Sequence, residues 1–369
     1  MFVVGSKNCL LFFLAPLVLL ACRDSPKSIS FPPWKIQEKL SAYPFFERIK
    51  QGNFPGSHNI ANGNQPLISI SYDLNSPLFS DFMDKERIVF LPEGTEVNYR
   101  EDQVFDFPEG TVISKTFRGT VGYNTSLAIQ DKRIETRLLL LRSSEWYAVS
   151  YVWNDKDTDA LVAYGGAQIG MSREKEQFVY SVPSRNQCSQ CHQIYEGEKQ
   201  VLVPIGPRAK QLNKISNFTT DGQNQLSHWK KLGILANLPV FQIPRLTAYM
   251  DNSAHVEERA RAYLDSNCAH CHRSNASGGI NSKLLLNSEN KDILSFGVCK
   301  QPGSAGKGGG KQLKFDIVPG KPEKSILYYR MVTRDPGAMM PQIGRALSDP
   351  IGKDLIGNWI ESMPSKDCP

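Results

Sequence analysis

The 369-residue sequence contains only six histidines and no apolar run long enough to cross a bilayer comfortably. Between residues 36 and 180 no histidine follows His58, and neither a Ser-His-Asp order nor a pair of carboxylates at a readable catalytic spacing is present. The lysines and arginines are scattered, and the formal net charge is only +6. These absences give no indication of a hydrolase site in this region or of nucleic-acid binding.

Four of the eight cysteines and three of the six histidines fall in two copies of one motif. The copies are Cys188-Ser189-Gln190-Cys191-His192 and Cys268-Ala269-His270-Cys271-His272. In a c-type haem site, two thiols bond the haem vinyl groups and the following imidazole ligates the iron. The motifs therefore predict two haem c groups. The predicted attachment residues are Cys188, Cys191, Cys268 and Cys271, and the predicted iron ligands are His192 and His272.

Two other interpretations of the paired cysteines remain open. Two Cys-x-x-Cys pairs can build one zinc site, although structural zinc usually closes over a shorter gap than the one between Cys191 and Cys268. A thioredoxin-like dithiol requires one pair beside a βαβ pattern. A histidine directly after both pairs favours haem over either alternative.

The N-terminus predicts export, in agreement with haem attachment outside the cytoplasm. Lys7 precedes an apolar stretch, Cys9 to Ala21, that is typical of a signal-peptide core. The segment Leu19-Leu20-Ala21-Cys22 resembles the bacterial lipoprotein cleavage box. This resemblance implies a signal peptide over 1–21, a lipidated Cys22 and a linker over 22–35, with the protein anchored to the inner or outer membrane and facing the periplasm. Ordinary cleavage to an unanchored product is the alternative.

Cys299 and Cys368 are the two cysteines left after these assignments. In an oxidising compartment we expect them to form a disulfide that ties the C-terminal tail to the loop around Cys299. Two free thiols are the alternative.

Residues 36–180 predict a β-rich domain. The segments around Ile68 and Ile70, from Ile134 to Leu140, and from Tyr147 to Trp153 alternate with the period of a strand that has one buried face. Two copies of Pro-Glu-Gly-Thr, beginning at Pro92 and Pro108, are typical of turns. The expected architecture is an antiparallel β sandwich or barrel.

One loop of this domain begins like a calcium-binding loop. Asn154, Asp155, Asp157 and Asp159 have the spacing of calcium ligands, but Ala160 occupies the position of the required glycine and the closing glutamate is absent. A solvated hairpin turn is the favoured interpretation.

The remainder of the chain is expected to form mainly α-helical cytochrome c-type haem domains. Residues 181–250 would be a first haem-binding segment, and residues 251–369 a cytochrome c-like domain with the second haem. Val256 to Leu264 has helical periodicity and runs into the second motif, and Ile351 to Ile360 predicts another amphipathic helix. Two helices that cross over a haem are the expected scaffold.

Met340, directly before Pro341, is the predicted sixth ligand of the second haem. Class I cytochromes c place their ligand methionine directly before a proline, and this stretch resembles them. A thioether favours ferrous iron, and His/Met coordination raises the haem potential. Met339 is the second choice, and two methionines that only pack the core are the alternative.

The sixth ligand of the first haem is left open. The candidates are His228, Met250, His255 and Met171, or an open position with water. His270 is interpreted only as a linker residue inside its own motif. Gly206-Pro207 resembles the Gly-Pro of class I cytochromes, in which a proline carbonyl orients the proximal imidazole.

Several segments together resemble an uncharacterised family of bacterial dihaem c-type cytochromes with an N-terminal β domain. The family implies haem binding and periplasmic electron transfer, without an established substrate. The matching segments are Phe107–Thr111, Ile134–Leu138, Pro183–Cys188, Gln211–Asn213, Tyr263–Cys268 and Val318–Gly320.

Two functions are consistent with these features. In the first, both irons are six-coordinate and the protein transfers electrons to a redox partner in the periplasm or membrane, without catalysis. In the second, the first haem keeps an open position for peroxidase- or oxidase-like chemistry and the second haem relays electrons. The sequence favours the carrier without deciding whether the protein is an enzyme.

Overall fold

The structure is a computed structural model that describes residues 33–121, 130–173, 176–219, 222–303, 313–365 and 367–369. Cys22, the predicted signal peptide and most of the linker lie outside these residues. Within the described ranges, no helix has both the length and the apolar character needed to span a membrane. The α-helices are α1 (Phe46–Gln51), α2 (Arg185–His192), α3 (Ala209–Leu212), α4 (Gln225–Lys231), α5 (Val256–Asn267), α6 (Ser277–Ser282), α7 (Ile326–Val332) and α8 (Pro350–Ser362).

The strands lie mostly before the first motif. They are β1 (Ser57–Ile60), β2 (Leu67–Ser71), β3 (Asp84–Pro92), β4 (Val97–Asn98), β5 (Val112–Val121), β6 (Gln130–Arg142), β7 (Glu145–Trp153), β8 (Ala160–Val162), β9 (Ala167–Arg173), β10 (Glu176–Val182), β11 (Gln193–Glu196), β12 (Lys199–Leu202) and β13 (Leu235–Ala236). Short 3-10 helices occur at Leu40–Ala42 and Pro322–Lys324.

Seven strands form one antiparallel sheet in the order β1-β2-β3-β5-β6-β7-β8. The alternating segments of the sequence are confirmed as β2, β6 and β7. Both faces of the sheet centre are buried. On one face, Phe90 and Tyr151 pack against Phe45 and Ile49 of the N-terminal segment; on the other, Val89 packs with residues of α3 and α4.

The predicted fold class is wrong in two respects. The sheet is open, since β1 and β8 are its two ends, and its faces are covered by helices and loops; it is therefore neither a barrel nor a sandwich of two large sheets. The region of the two motifs is also not mainly α-helical, and helix accounts for only 22% of the residues that the structure describes. Only α2, α5 and α8 reach eight residues, and the connections are loops fixed by hydrogen bonds, short helices and the small β11-β12 hairpin.

The two Pro-Glu-Gly-Thr copies are confirmed as turns. In each copy the threonine hydroxyl donates to the carbonyl of the proline, at 2.7 Å for Thr95 and 2.6 Å for Thr111. Gly94 and Gly110 have φ angles of 77° and 85°, which glycine adopts without strain. The same four residues therefore fold in the same way at two places in the domain.

The loop with the calcium-like spacing is confirmed as the hairpin turn between β7 and β8. Its side chains bond within the protein. Asp157 pairs with Arg133, with Nε to Oδ1 at 2.9 Å, and Asp159 Oδ2 accepts from Ser41 Oγ at 2.7 Å. These partners explain the acidic spacing without a cation.

The C-terminal region is organised by α5 and α8, which pack together around Leu264, Ile356 and Ile360. Asp349 caps α8 by accepting from Ile351 N at 3.0 Å, and Pro350 begins the helix. This pair of helices was expected. They position the second motif, which follows α5, beside the loop that contains Met340.

Candidate functional site

The first motif lies on α2, which begins at a capping box. Ser184 Oγ accepts from Gln187 N at 3.3 Å, and Gln187 Oε1 accepts from Ser184 N at 2.9 Å. Cys188, Cys191 and His192 follow at i, i+3 and i+4, which places them on one face of the helix. The cap therefore fixes where the functional face begins.

This face of α2 borders a cavity against the sheet, which we call the first cavity. It encloses about 1170 Å³ of space that is partly open to solvent. Cys188 and His192 line one side, Arg137 of β6 lines the sheet side, and His270 of the second motif lines it as well. The cavity thus joins residues from three separate parts of the chain.

His192 is oriented by a backbone carbonyl. Its Nδ1 lies 2.9 Å from Val203 O and must donate, because a carbonyl oxygen only accepts. The sequence had suggested Pro207 for this role, but Pro207 O accepts from Phe105 N at 3.4 Å. Burial lowers the pKa of His192 to about 4. The ring is therefore neutral near pH 7, with Nε2 available to a metal.

The second motif continues directly from α5. Cys268 N donates to Leu264 O at 2.8 Å and closes α5, and His272 N donates to Cys268 O at 2.9 Å, so the motif forms a hydrogen-bonded turn directly after the helix. The chain then folds back tightly. A Cβ on Gly279 would lie 1.7 Å from Arg273 O, so this return requires a glycine.

A second cavity, of about 1710 Å³ and also partly open to solvent, borders this motif. Cys268, Cys271, His272 and Met340 line it. His272 Nδ1 lies 3.4 Å from Ser282 Oγ, and burial lowers the pKa of His272 to about 4. The structure thus brings the predicted ligands of the second haem to one cavity, whereas Met339 is not among the residues that border it.

The loop that carries Met340 is held by one buried arginine. Arg345 Nε donates to Met340 O at 3.0 Å, and Nη2 donates to the carbonyls of Arg330 and Thr333 at 3.0 Å each. Nη1 donates to Leu347 O at 3.2 Å. Four carbonyls from two sides of the loop therefore converge on one side chain that is only 8% exposed.

The two motifs meet between the cavities. Cys271 Sγ lies 3.3 Å from Gln190 O, and ligand atoms of Cys191, His270 and Cys271 all lie within 4.8 Å of one another. His270 borders both cavities, is 8% exposed, and its Nδ1 has no hydrogen-bond partner among the described residues. Its place in the structure is more central than that of a linker residue.

The four residues that the sequence offers as the sixth ligand of the first haem border neither cavity. Met171 is packed in an apolar cluster with Phe117. Met250 is 56% exposed, and His255 caps α5 by accepting from Glu257 N. His228 is buried on α4, away from both cavities.

The sheet wall of the first cavity is basic. Arg87 on β3 is paired in register with Lys115 on β5, and Lys115 is paired with Arg137 on β6. Residues opposed in register point to the same face, so these three cations form a row across neighbouring strands, which we call the basic row. The sequence shows the charges, but only strand register brings them together.

Cys299 and Cys368 are joined by a disulfide with an S–S distance of 2.16 Å. Cys188, Cys191, Cys268 and Cys271 are free thiols. The four motif cysteines are therefore chemically distinct from the pair that fixes the tail.

Comparison with known proteins gives no further guidance, since the chain matches no family model, no curated protein and no solved structure.

Proposed function

We propose that this protein is a dihaem c-type cytochrome that transfers electrons through two covalently bound haems. The observation that carries the proposal is that Cys188 and His192 of the first motif border one cavity, and Cys268, Cys271 and His272 of the second motif border the other. Cys191 lies where the motifs meet and borders the second cavity. Each histidine also has a polar partner beside Nδ1, at Val203 O and Ser282 Oγ. Such partners orient a metal-binding imidazole and leave Nε2 for the iron.

The donor set fits two haem c groups. Cys188, Cys191 and His192 would hold the first, and Cys268, Cys271, His272 and Met340 would hold the second. When bound, the haem iron supplies reversible one-electron chemistry. The protein keeps both imidazoles neutral by burial, which is the form that ligates a metal. Arg345 holds the Met340 loop in place.

The haem count tests this proposal directly. Thioether bonds survive denaturation, so purified protein should contain two covalent haems per chain by pyridine haemochrome, and Cys268→Ala should contain one. Cys299→Ser, which changes a cysteine outside both motifs, is the matched control and should keep two. A chain without covalent haem, or two haems in Cys268→Ala, would refute the assignment.

For the sixth position of the first iron we propose His270. It is the only histidine or methionine besides His192 among the described residues that border the first cavity. Low-temperature electron paramagnetic resonance should show two low-spin signals in the wild type, and His270→Ala should convert one to high spin. Two low-spin signals in His270→Ala would exclude this ligand. A high-spin signal in the wild type would instead favour the haem enzyme with an open first site.

A zinc site is the second candidate, because Cys191, His270 and Cys271 already approach one another closely enough to share an ion. They supply three ligands, whereas a structural zinc site is closed by four. Metal analysis separates the two functions: stoichiometric zinc without haem would favour the zinc site, and iron at two per chain would favour the cytochrome.

We also propose that the protein is a periplasmic lipoprotein that donates to or accepts from a redox protein of the periplasm or membrane. The support is the resemblance of Leu19 to Cys22 to a lipoprotein cleavage box. Cys22→Ser should move the protein from the membrane to the soluble fraction, and unchanged membrane association would exclude this anchor.

A further inference from the structure

We propose that the basic row of Arg87, Lys115 and Arg137 is an anion site that binds the propionate carboxylates of the first haem. The inference rests on the proposed function and goes beyond it, because it assigns the N-terminal sheet a role in binding that haem. Arg87, Lys115 and Arg137 all border the same cavity as Cys188 and His192.

The row is unfavourable without an anion. Like charges directly opposite on neighbouring strands repel, and burial removes the water that would screen them. Arg87 is only 7% exposed. Burial, followed by the charges of Arg87 and neighbouring cations, lowers the pKa of Lys115 well below its ordinary value. Three basic side chains therefore lie next to one another on one face of the sheet.

Carboxylates of the protein neutralise only part of the positive charge of the basic row. Glu135 is fully buried, pairs with Arg137 and accepts from Tyr180 Oη at 2.8 Å. Among the described residues, neither Arg87 nor Lys115 has a carboxylate within 4.0 Å. Lys115 Nζ and Arg137 Cζ instead lie 4.7 Å and 4.4 Å from the centroid of one ring, Phe117. Among the described residues, Glu135 is thus the one carboxylate in an ion pair with the basic row.

A further cation borders the same cavity. Arg273 follows the second motif, and within the described part of the chain its buried Nε and Nη2 have no hydrogen-bond partner. Asp265, an acid that also borders the cavity, is engaged by Lys210. The excess of positive charge therefore favours a ligand with carboxylate or other oxyanion groups. Guanidinium groups bind such oxygens well. The two propionates of a haem held by Cys188 and His192 have this chemistry.

The test compares Arg87→Gln and Lys115→Gln with the wild type. Haem is counted first, and the potential of each haem is then measured by optical redox titration. Loss of a nearby positive charge disfavours the electron-rich ferrous form, so the first haem should shift to lower potential while the second is unchanged. Lys132→Gln is the control, because Lys132 lies on β6 but bonds Asp155 O at the sheet periphery. Lys115→Arg, which keeps the charge, should retain the wild-type potential.

Arg273→Gln gives an independent test outside the sheet and covers the case in which the strand variants do not accumulate. It should also lower the potential of the first haem. Potentials that stay constant in every variant that contains two haems would overturn the anion site and leave the proposed function intact. A chain without haem would refute the proposed function by itself.

A free anion is distinguished by calorimetry with inorganic phosphate. If haem propionates occupy the basic row, titration of the wild-type holoprotein with phosphate should give no saturable heat of binding. Saturable phosphate binding that is lost in Lys115→Gln, together with unchanged potentials, would overturn the assignment to haem and show that the row binds a free oxyanion.

Discussion

Arg345 is the residue on which the position of Met340 depends most directly. Its guanidinium donates to four carbonyls, one of which belongs to Met340 itself. Met340 N in turn donates to Arg330 O at 2.9 Å, a carbonyl that Arg345 also contacts. The planar fork of arginine suits this convergence, and a lysine ammonium would not reproduce it.

We expect Arg345→Gln to destabilise the protein by about 2–4 kcal/mol, because buried carbonyls lose charged hydrogen-bond donors. In the proposed cytochrome, the same change should weaken the near-infrared band of sulfur-ligated ferric haem and lower the potential of the second haem, since the Met340 loop is released. Urea unfolding and optical redox titration measure the two effects.

Arg334→Gln is the matched control for this prediction. Arg334 lies in the same loop region but is exposed and pairs with Glu176 at the surface, where ion pairs contribute little. Its substitution should leave stability and the band unchanged. A band of normal intensity in Arg345→Gln would show that Met340 is held by other contacts.

For single residues, the sequence predicts a role where that role depends on the spacing of neighbouring residues in the chain. The two motifs and Met340-Pro341 are local: Cys188 and His192 reach the first cavity, and the second motif reaches the second cavity together with Met340. Local spacing does not indicate the roles of Arg345 and His270. The role of Arg345 depends on which carbonyls of the Met340 loop point towards it. The role of His270 depends on how the two motifs meet. These are tertiary facts that spacing along the chain does not specify.

The packing of α5 on α8 depends on a small residue at one point of contact. A Cβ on Gly352 of α8 would lie 2.2 Å from Cζ and Oη of Tyr263 on α5. Tyr263 is 5% exposed and packs edge-on against Tyr249, with ring centroids 5.2 Å apart, so the ring has little room to move. Glycine at this position sets how closely the two helices approach.

Gly352→Ala should therefore lower the free energy of unfolding by about 1–2 kcal/mol, since overpacking costs more than the gain in helix propensity. Gly357→Ala, on the same helix, is the control. Its Cβ would lie 3.2 Å from Cε2 of the half-buried Tyr328, which can give way, so no loss of stability is expected. Equal losses in both variants would contradict this explanation.

Elements were predictable where their own periodicity was strong. The segments that became β2, β6 and β7 and the helices α5 and α8 have such periodicity. The second layer of a sandwich was predicted wrongly because alternation shows that a face is buried without showing what covers it. Here α3 and α4 cover one face, and the region beyond α2 contains too little regular structure to form helical domains.

At the scale of the whole molecule, the regions around the two motifs are joined by a buried ion cluster. Lys210 on α3 donates to Asp265 on α5 and to Glu289, the latter at 2.7 Å. Asp81, in the loop before β3, also accepts from Ala346 N and Leu347 N at 2.8 Å each. These bonds fix the position of the sheet relative to both cavities.

The ion cluster predicts a specific dependence on acid. Burial alone would raise the pKa of Glu289, but Lys210 outweighs it and lowers the pKa to about 2, from an ordinary value of 4.5. A lowered carboxyl pKa contributes stability that is complete above pH 4.5 and is lost as the pH falls towards 2. Glu289→Gln should therefore reduce stability near pH 7 and flatten its decline between these limits.

Urea unfolding at a series of pH values measures this effect, with Glu323→Gln as the control because Glu323 has no ion pair among the described residues. Since the Glu289 side chain is 48% exposed, solvent screening should keep the effect modest. If the free energy of unfolding falls equally steeply with decreasing pH in Glu289→Gln and the wild type, the ion pair of Lys210 with Asp265 is sufficient for stability.

The position of the sheet in the chain also sets an order of assembly. All seven strands of the large sheet end by Val162, before the first motif begins, so the sheet can form while the later chain is still being synthesised. At that stage water hydrates the basic row, and its charges cost little. Cys188 is only 9% exposed in the folded chain, so the proposed attachment of haem to its thiol would be easiest before α2 docks on the sheet. Maturation of the proposed cytochrome would then modify the cysteine first and close the cavity afterwards, so that the cations lose their water as their counterion arrives.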